Sequence, residues 1–209
     1  MASKVFEGNN WKERIEGSIE DEDINDACFR AKDELGRSRE IKCSRVILSL
    51  ASPVFRRQFF GPLKAKYDEP IDIVDGTADT LHDVIRFIYT EKHFKKHLKV
   101  ETSEEIKELL DLSYFGHKYE ITSLTNYTSF VINHNLVIDK TNVISVLQDV
   151  EAYKINLESE SHIILSICYT FMDSNLETIF FKNGLNNLPE VSLKTVNINV
   201  ISSSMFLDQ

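Results

Sequence analysis

His93 and His97 stand four residues apart, a spacing that would turn both rings to one side of a helix. Two such imidazoles could begin a zinc site. Zinc needs at least a third ligand and groups that orient the rings, and the intervening Lys95 and Lys96 repel a cation. The segment therefore reads as a solvated basic loop. Cys28, Cys43 and Cys168 are odd in number and too widely spaced for a disulfide framework or a Cys-x-x-Cys metal pair. Each lies among apolar residues, which suggests buried thiols in a reducing compartment. Glycine-rich phosphate loops, nucleophile elbows and His-Glu-x-x-His are absent from the sequence. The expectation is a protein with no catalytic set, no metal and no cofactor.

The charge balance narrows the partners. The net charge of −9 repels the phosphate backbone. A basic set does exist in Arg37, Arg39, Lys42, Arg45, Arg56, Arg57, Lys64 and Lys66. No nucleic-acid reading motif accompanies it, so nucleic acid is not expected as a partner. The run Ile163 to Met172 is far shorter than the roughly 20 residues of a membrane span, and the first ten residues lack the apolar core of a secretory signal. The reading is a cytoplasmic protein, or one shared with the nucleus, that contacts no membrane. At 42% hydrophobic and 27% charged, the chain can build an ordinary core without staples.

The elements follow from periodicity and caps. Trp11, Ile15 and Ile19 recur every fourth residue, one apolar stripe on a short helix. Asp26 to Ala31 and Glu40 to Cys43 alternate and flank the turn residues Asp33-Glu34-Leu35-Gly36, which predicts a hairpin. Ser52-Pro53 opens a helix, with the serine as cap and the proline in the first turn. Val54, Phe55, Phe59 and Phe60 form its apolar side. Ile71 to Val74 is a third strand, ended by a turn at Asp75-Gly76-Thr77. Leu81, Val84, Ile85 and Ile88 have helical spacing.

Thr102-Ser103-Glu104-Glu105 is a capping box before a helix from Ile106 to Tyr119. Further helices are predicted over Thr122 to Asn133, Asn142 to Lys154 and Ile163 to Met172. Another should start at the Ser174-x-x-Glu177 box, and a last one at Leu188-Pro189. Three short strands inside a helical chain give an α+β first part and an all-α second part.

In that order, the pieces Asp26-Ala27-Cys28-Phe29, Cys43-Ser44-Arg45-Val46-Ile47-Leu48, Ser52-Pro53-Val54-Phe55, Phe87-Ile88-Tyr89-Thr90 and His117-Lys118-Tyr119 resemble the BTB/POZ domain. The resemblance implies a BTB/POZ fold over residues 10–132, a small three-stranded sheet flanked by helices, after an N-terminal tail over 1–9. Residues 133–209 are similar to the start of a helical BACK domain. Trp11 is similar to the tryptophan that opens the BTB-BACK-PHR group.

What the resemblance implies is protein–protein interaction. A homodimer would form through Trp11, Ile15, Ile19, Asp26, Arg45 and Val46, with Asp26 and Arg45 facing each other near its centre. A cullin scaffold of a ubiquitin ligase would dock on Leu63 and Tyr119, and the helices from Asn142 would extend that surface. The chain departs from the pattern in two places. Ser44 stands where the family has histidine. The hydrophobic-x-Glu motif after the Ser-Pro helix reads Leu63-Lys64-Ala65, without its glutamate; Tyr67-Asp68-Glu69 has the right spacing four residues later. The alternative is a BTB scaffold that homo- or hetero-dimerises without a cullin.

Overall fold

The computed structural model describes residues 11–19, 21, 23–62, 69–91, 99–153 and 158–183. These fall into two compact units, one drawn from Met1–Lys96 and Asp111–Thr128, the other from His97–Leu110 and Ser129–Gln209.

The first unit is built on a mixed sheet of order β2-β1-β3. Strand β1 (Ala27–Lys32) turns back into β2 (Ser38–Cys43) as an antiparallel hairpin, with Ala27 opposite Cys43 and Lys32 opposite Ser38. The turn forms where its residues predict. The Asp33 carboxylate accepts from the Leu35 and Arg37 amides at 3.0 and 2.9 Å, and Gly36 takes the left-handed conformation at φ +77°. Strand β3 (Ile71–Thr77) runs parallel to β1. A parallel neighbour needs a crossover, and the helices α2 (Arg45–Ala51) and α3 (Pro53–Phe60) lie in that connection.

Alternation decides which side of the sheet is covered. Ala27, Phe29, Ala31, Ile41, Cys43 and Ile73 are buried. On the opposite face, Arg30 reaches Glu40 at 3.1 Å and Asp72 at 3.5 Å. Cys28 shares the parity of Arg30 and is half-buried, so of the three thiols only Cys43 and Cys168 are buried as expected. The third strand is longer than its alternation predicts. Its register slips between Ala31 and Lys32, so that Lys32 pairs with Thr77, and the expected turn at Asp75-Gly76-Thr77 lies inside the strand.

Helix α4 (Ala78–Thr90) starts at once, capped by the Thr77 hydroxyl, which accepts from the Thr80 amide at 3.1 Å. It buries Leu81, Val84, Ile85, Phe87 and Tyr89 in the core, packing on the sheet, on α1 and on α2. The core is completed by Phe55 and Phe59 of α3 and by Phe115, Tyr119 and Leu124. Phe55 stacks on Tyr119 at 4.7 Å, and Phe115 stacks on Tyr119 at 5.5 Å. Helix α1 (Trp11–Gly17) forms, with Ile15 packed on the core, but it stops at Gly17 and Ile19 lies just beyond it. Of the apolar residues of α3, Phe55 and Phe59 are buried, while Phe60 is exposed.

Helix α5 (Ser103–Lys118) opens on the predicted capping box. The Thr102 hydroxyl accepts from the Glu105 amide at 3.2 Å, and the Glu105 carboxylate accepts from the Thr102 amide at 3.2 Å. Helix α6 (Thr122–His134) follows. In the second unit, α7 (Val143–Tyr153) lies against α8 (Glu158–Asn183), and Val143, Val146, Leu147, Ile164, Cys168 and Met172 are buried. Asn175, at φ −134° and ψ 17°, breaks α8 into two helical stretches where the sequence predicts a new start, and the Ser174 hydroxyl donates back to the Thr170 carbonyl at 3.1 Å. The helix expected at Leu188 lies outside the described residues.

Candidate functional site

Two short helices carry the residues expected to meet a second copy. Ile15 and Ile19 are partly buried against the core of their own chain, and α1 packs on α4. Trp11 opens the helix; its side chain lies outside the described residues. Asp26 and Arg45 do come together. The Asp26 carboxylate accepts the Arg45 backbone N–H at 2.9 Å, and the Arg45 Nε donates to the Asp26 carbonyl at 3.0 Å. Arg45 is 3% exposed, and its guanidinium sits 5.7 Å from the Phe59 ring centroid.

In each of these bonds one partner is a backbone group. Ser44, the N-cap of α2, makes no side-chain cap bond, and Asp26 supplies the acceptor from 19 residues earlier. A carboxylate at a helix N-terminus is stabilised by the free amides and by the helix dipole.

Helix α2 presents its other side outward. Leu48 is fully buried, whereas Val46 is 58% exposed and Leu50 82% exposed. These two are four residues apart and share one face. The solvent side of α2 thus carries an apolar pair. The sequence reading singled out Val46 but not Leu50, because the run Arg45 to Ala51 is apolar almost throughout and shows no outward face.

Of the second expected site, Tyr119 just past the end of α5 lies among the described residues. Tyr119 is buried, so its ring belongs to the core, and what it can offer a partner is the position of its backbone. Its carbonyl accepts from the Ser52 hydroxyl at 2.5 Å, which ties the first residue before α3 to the end of α5. Beside it, the Lys118 ammonium lies over the Tyr114 and Tyr119 rings at 5.7 and 5.6 Å and pairs with the Asp75 carboxylate. Tyr114 donates to the same carboxylate at 3.1 Å. Burial holds the Lys118 amine below its usual range. Arg57 reaches Glu120 at 3.0 Å across an exposed surface, close in sequence to the exposed Phe60. Leu63, Lys64 and Ala65 lie outside the described residues, as do His93 and His97.

Among the described residues no three metal-binding side chains gather, and no helix is long and apolar enough to cross a membrane. What the first unit does present is a packed core with apolar side chains left exposed on α2 and α3.

The family is established by comparison. The model of the BTB/POZ domain matches residues 16–136, and the chain belongs to that family. It is similar to Kelch-like protein 6 of Homo sapiens, 41% identical over 54 residues that make up 26% of this chain and 9% of the relative. It is also similar to TD and POZ domain-containing protein 3 of Mus musculus, 38% identical over 60 residues, 28% of this chain and 16% of the relative. The chain thus matches a small part of each relative's length. The BTB/POZ domain is a protein–protein interaction module.

Proposed function

We propose that this chain is a homodimeric adaptor that presents a cullin scaffold of a ubiquitin ligase to a client, and that it performs no chemistry of its own. The observation that carries the dimer is the outward row of Val46 and Leu50 on α2, whose first turn is held by Asp26. A two-fold axis through such a face makes the contact self-complementary. Trp11, Ile15 and Ile19 would join it from α1. Two protomers would double the number of client sites and raise effective concentration.

The cullin would dock at Leu63, in the loop after α3, with Tyr119 fixing that corner through its bond to Ser52. We assign α7 and α8 to a BACK-like region. A reducing compartment, the cytosol or nucleus, suits the free thiols of Cys28, Cys43 and Cys168.

Ala65 favours a second reading, a BTB scaffold that pairs with itself or with relatives and leaves cullins alone, since the glutamate of the cullin-binding motif is missing. Calorimetry of the purified chain against a cullin N-terminal region separates the two. Submicromolar binding supports the adaptor. No binding at tens of micromolar, with affinity gained on Ala65→Glu, supports the scaffold.

A further inference from the structure

We infer that Asn25, Asp26 and the Tyr89 hydroxyl are positioning residues that lock α1 and α2 in one mutual arrangement and so shape the surface along which two copies meet. The inference rests on the dimer reading above and adds the buried Asn25 and Tyr89 to the Asp26 already placed in it.

The bonds converge on three adjacent points. The Asn25 side-chain amide donates to the Ser18 carbonyl at 3.2 Å and to the Ile19 carbonyl at 2.8 Å, at the end of the α1 segment. Its oxygen accepts the Tyr89 hydroxyl at 3.0 Å, and the same hydroxyl accepts the Ser44 amide at 2.7 Å, at the cap of α2. The next residue, Asp26, takes the first amide of that helix. One dipeptide therefore grips α1 with one side chain and α2 with the other, and Tyr89 on the last turn of α4 bridges them.

Asn25 and Tyr89 are buried. A buried amide or hydroxyl left without a partner costs more than the bond itself contributes, so the set is held together or lost together. Apolar packing alone does not fix the end of α1. A cavity of about 290 Å³ lies beside it, lined by Ile19, Asn25, Ile41 and Ile85 among others. The packing of Ile15 and Ile19 on the core leaves this side of the segment partly open, and the polar bonds add a fixed direction to it.

The test uses the full chain, with sedimentation velocity for the dimer and hydrogen–deuterium exchange for the helices. Tyr89→Phe removes one oxygen and keeps the ring; Asn25→Ala and Asp26→Ala remove the two grips; Asp26→Asn keeps an acceptor and should rescue. For Tyr89→Phe and Asn25→Ala the expected result is exchange faster by about tenfold at Arg14–Ile19 and at Arg45–Leu48 together, with a dimer Kd weaker by about tenfold, the effect of losing roughly one buried hydrogen bond; Asp26→Ala, whose bond reaches α2 alone, should speed exchange at Arg45–Leu48. Tyr89→Phe and Asn25→Ala should be non-additive, since they break the same bond. Exchange that rises evenly through the whole fold, or that in Tyr89→Phe rises in one helix and not the other, overturns the lock. A dimer that keeps its Kd while both helices loosen overturns the interface role. A wild-type chain that stays monomeric overturns the dimer reading itself, while exchange at the same amides still decides whether the lock exists.

Discussion

Replacing Ser52 by alanine should destabilise this protein more than removal of an ordinary helix cap. The hydroxyl has two bonds. It accepts from the Phe55 amide at 3.0 Å, capping α3, and donates to the Tyr119 carbonyl at 2.5 Å, 67 residues away. The residue is 1% exposed, so water cannot replace either partner cheaply. Loss of a serine cap costs about 1 kcal/mol. A buried carbonyl stripped of its donor adds about 1–3 kcal/mol. Ser52→Ala should therefore cost about 2–4 kcal/mol, which for a chain of this size lowers the melting temperature by roughly 4–16 °C. Thr77→Ala is the reference, because the Thr77 side chain caps α4 by the same geometry at 3.1 Å, and it should cost about 1 kcal/mol. Thermal unfolding of both variants by circular dichroism gives the comparison. If Ser52→Ala loses no more than Thr77→Ala, the bond to Tyr119 contributes nothing and the tie between α3 and α5 is only apparent.

Alkaline pH should unfold the protein early. Burial pushes the Tyr89 and Tyr119 hydroxyls up from 10.0 to about 12, and the Cys168 thiol from 9.0 to about 12; the Cys43 thiol also moves up, again from burial first. Each stays protonated in the fold at a pH where the unfolded chain has released its proton, so the stabilisation is whole below pH 9 and is lost as pH rises toward 12. Between pH 10 and 11 the four groups together remove about 5 kcal/mol, read by urea midpoints across a pH series; a flat profile above pH 9 would contradict the burial of these groups. Gly76→Ala would place a methyl carbon 2.2 Å from Cε2 of Phe115, which is itself buried against Tyr119. The expected cost is about 1–3 kcal/mol in a denaturant titration, and a neutral result would mean that the β3 bulge yields freely.

Local chemistry was legible from the chain. Thr102 and Glu105 form their reciprocal box, Ser52 caps ahead of Pro53, and the Asp33–Gly36 turn closes the hairpin, because each depends only on residues a few positions apart. The same reasoning placed a helix start at Ser174, where α8 breaks at Asn175, but did not foresee that the hydroxyl bonds back to Thr170. It also ended β3 too soon, because pairing with Lys32 carries the strand through its bulge to Thr77.

The candidate surface was only partly visible. Asp26 and Arg45 were found through the resemblance, but their backbone bonds were not foreseen. Asn25 and Tyr89 were missed as a pair, since a bond between residues 64 positions apart leaves no periodic trace. Leu50 reads as core in any hydropathy pattern, and only the fold turns it outward. Tyr119 is a core residue whose backbone, not its ring, reaches the second proposed site.

Sedimentation equilibrium of the purified chain tests the central claim most directly. The account predicts a mass twice the 24.1 kDa of one protomer at micromolar concentration, falling to that of one protomer when Val46→Asp and Leu50→Asp are combined. A wild-type chain that sediments at 24.1 kDa however concentrated it is made would contradict it.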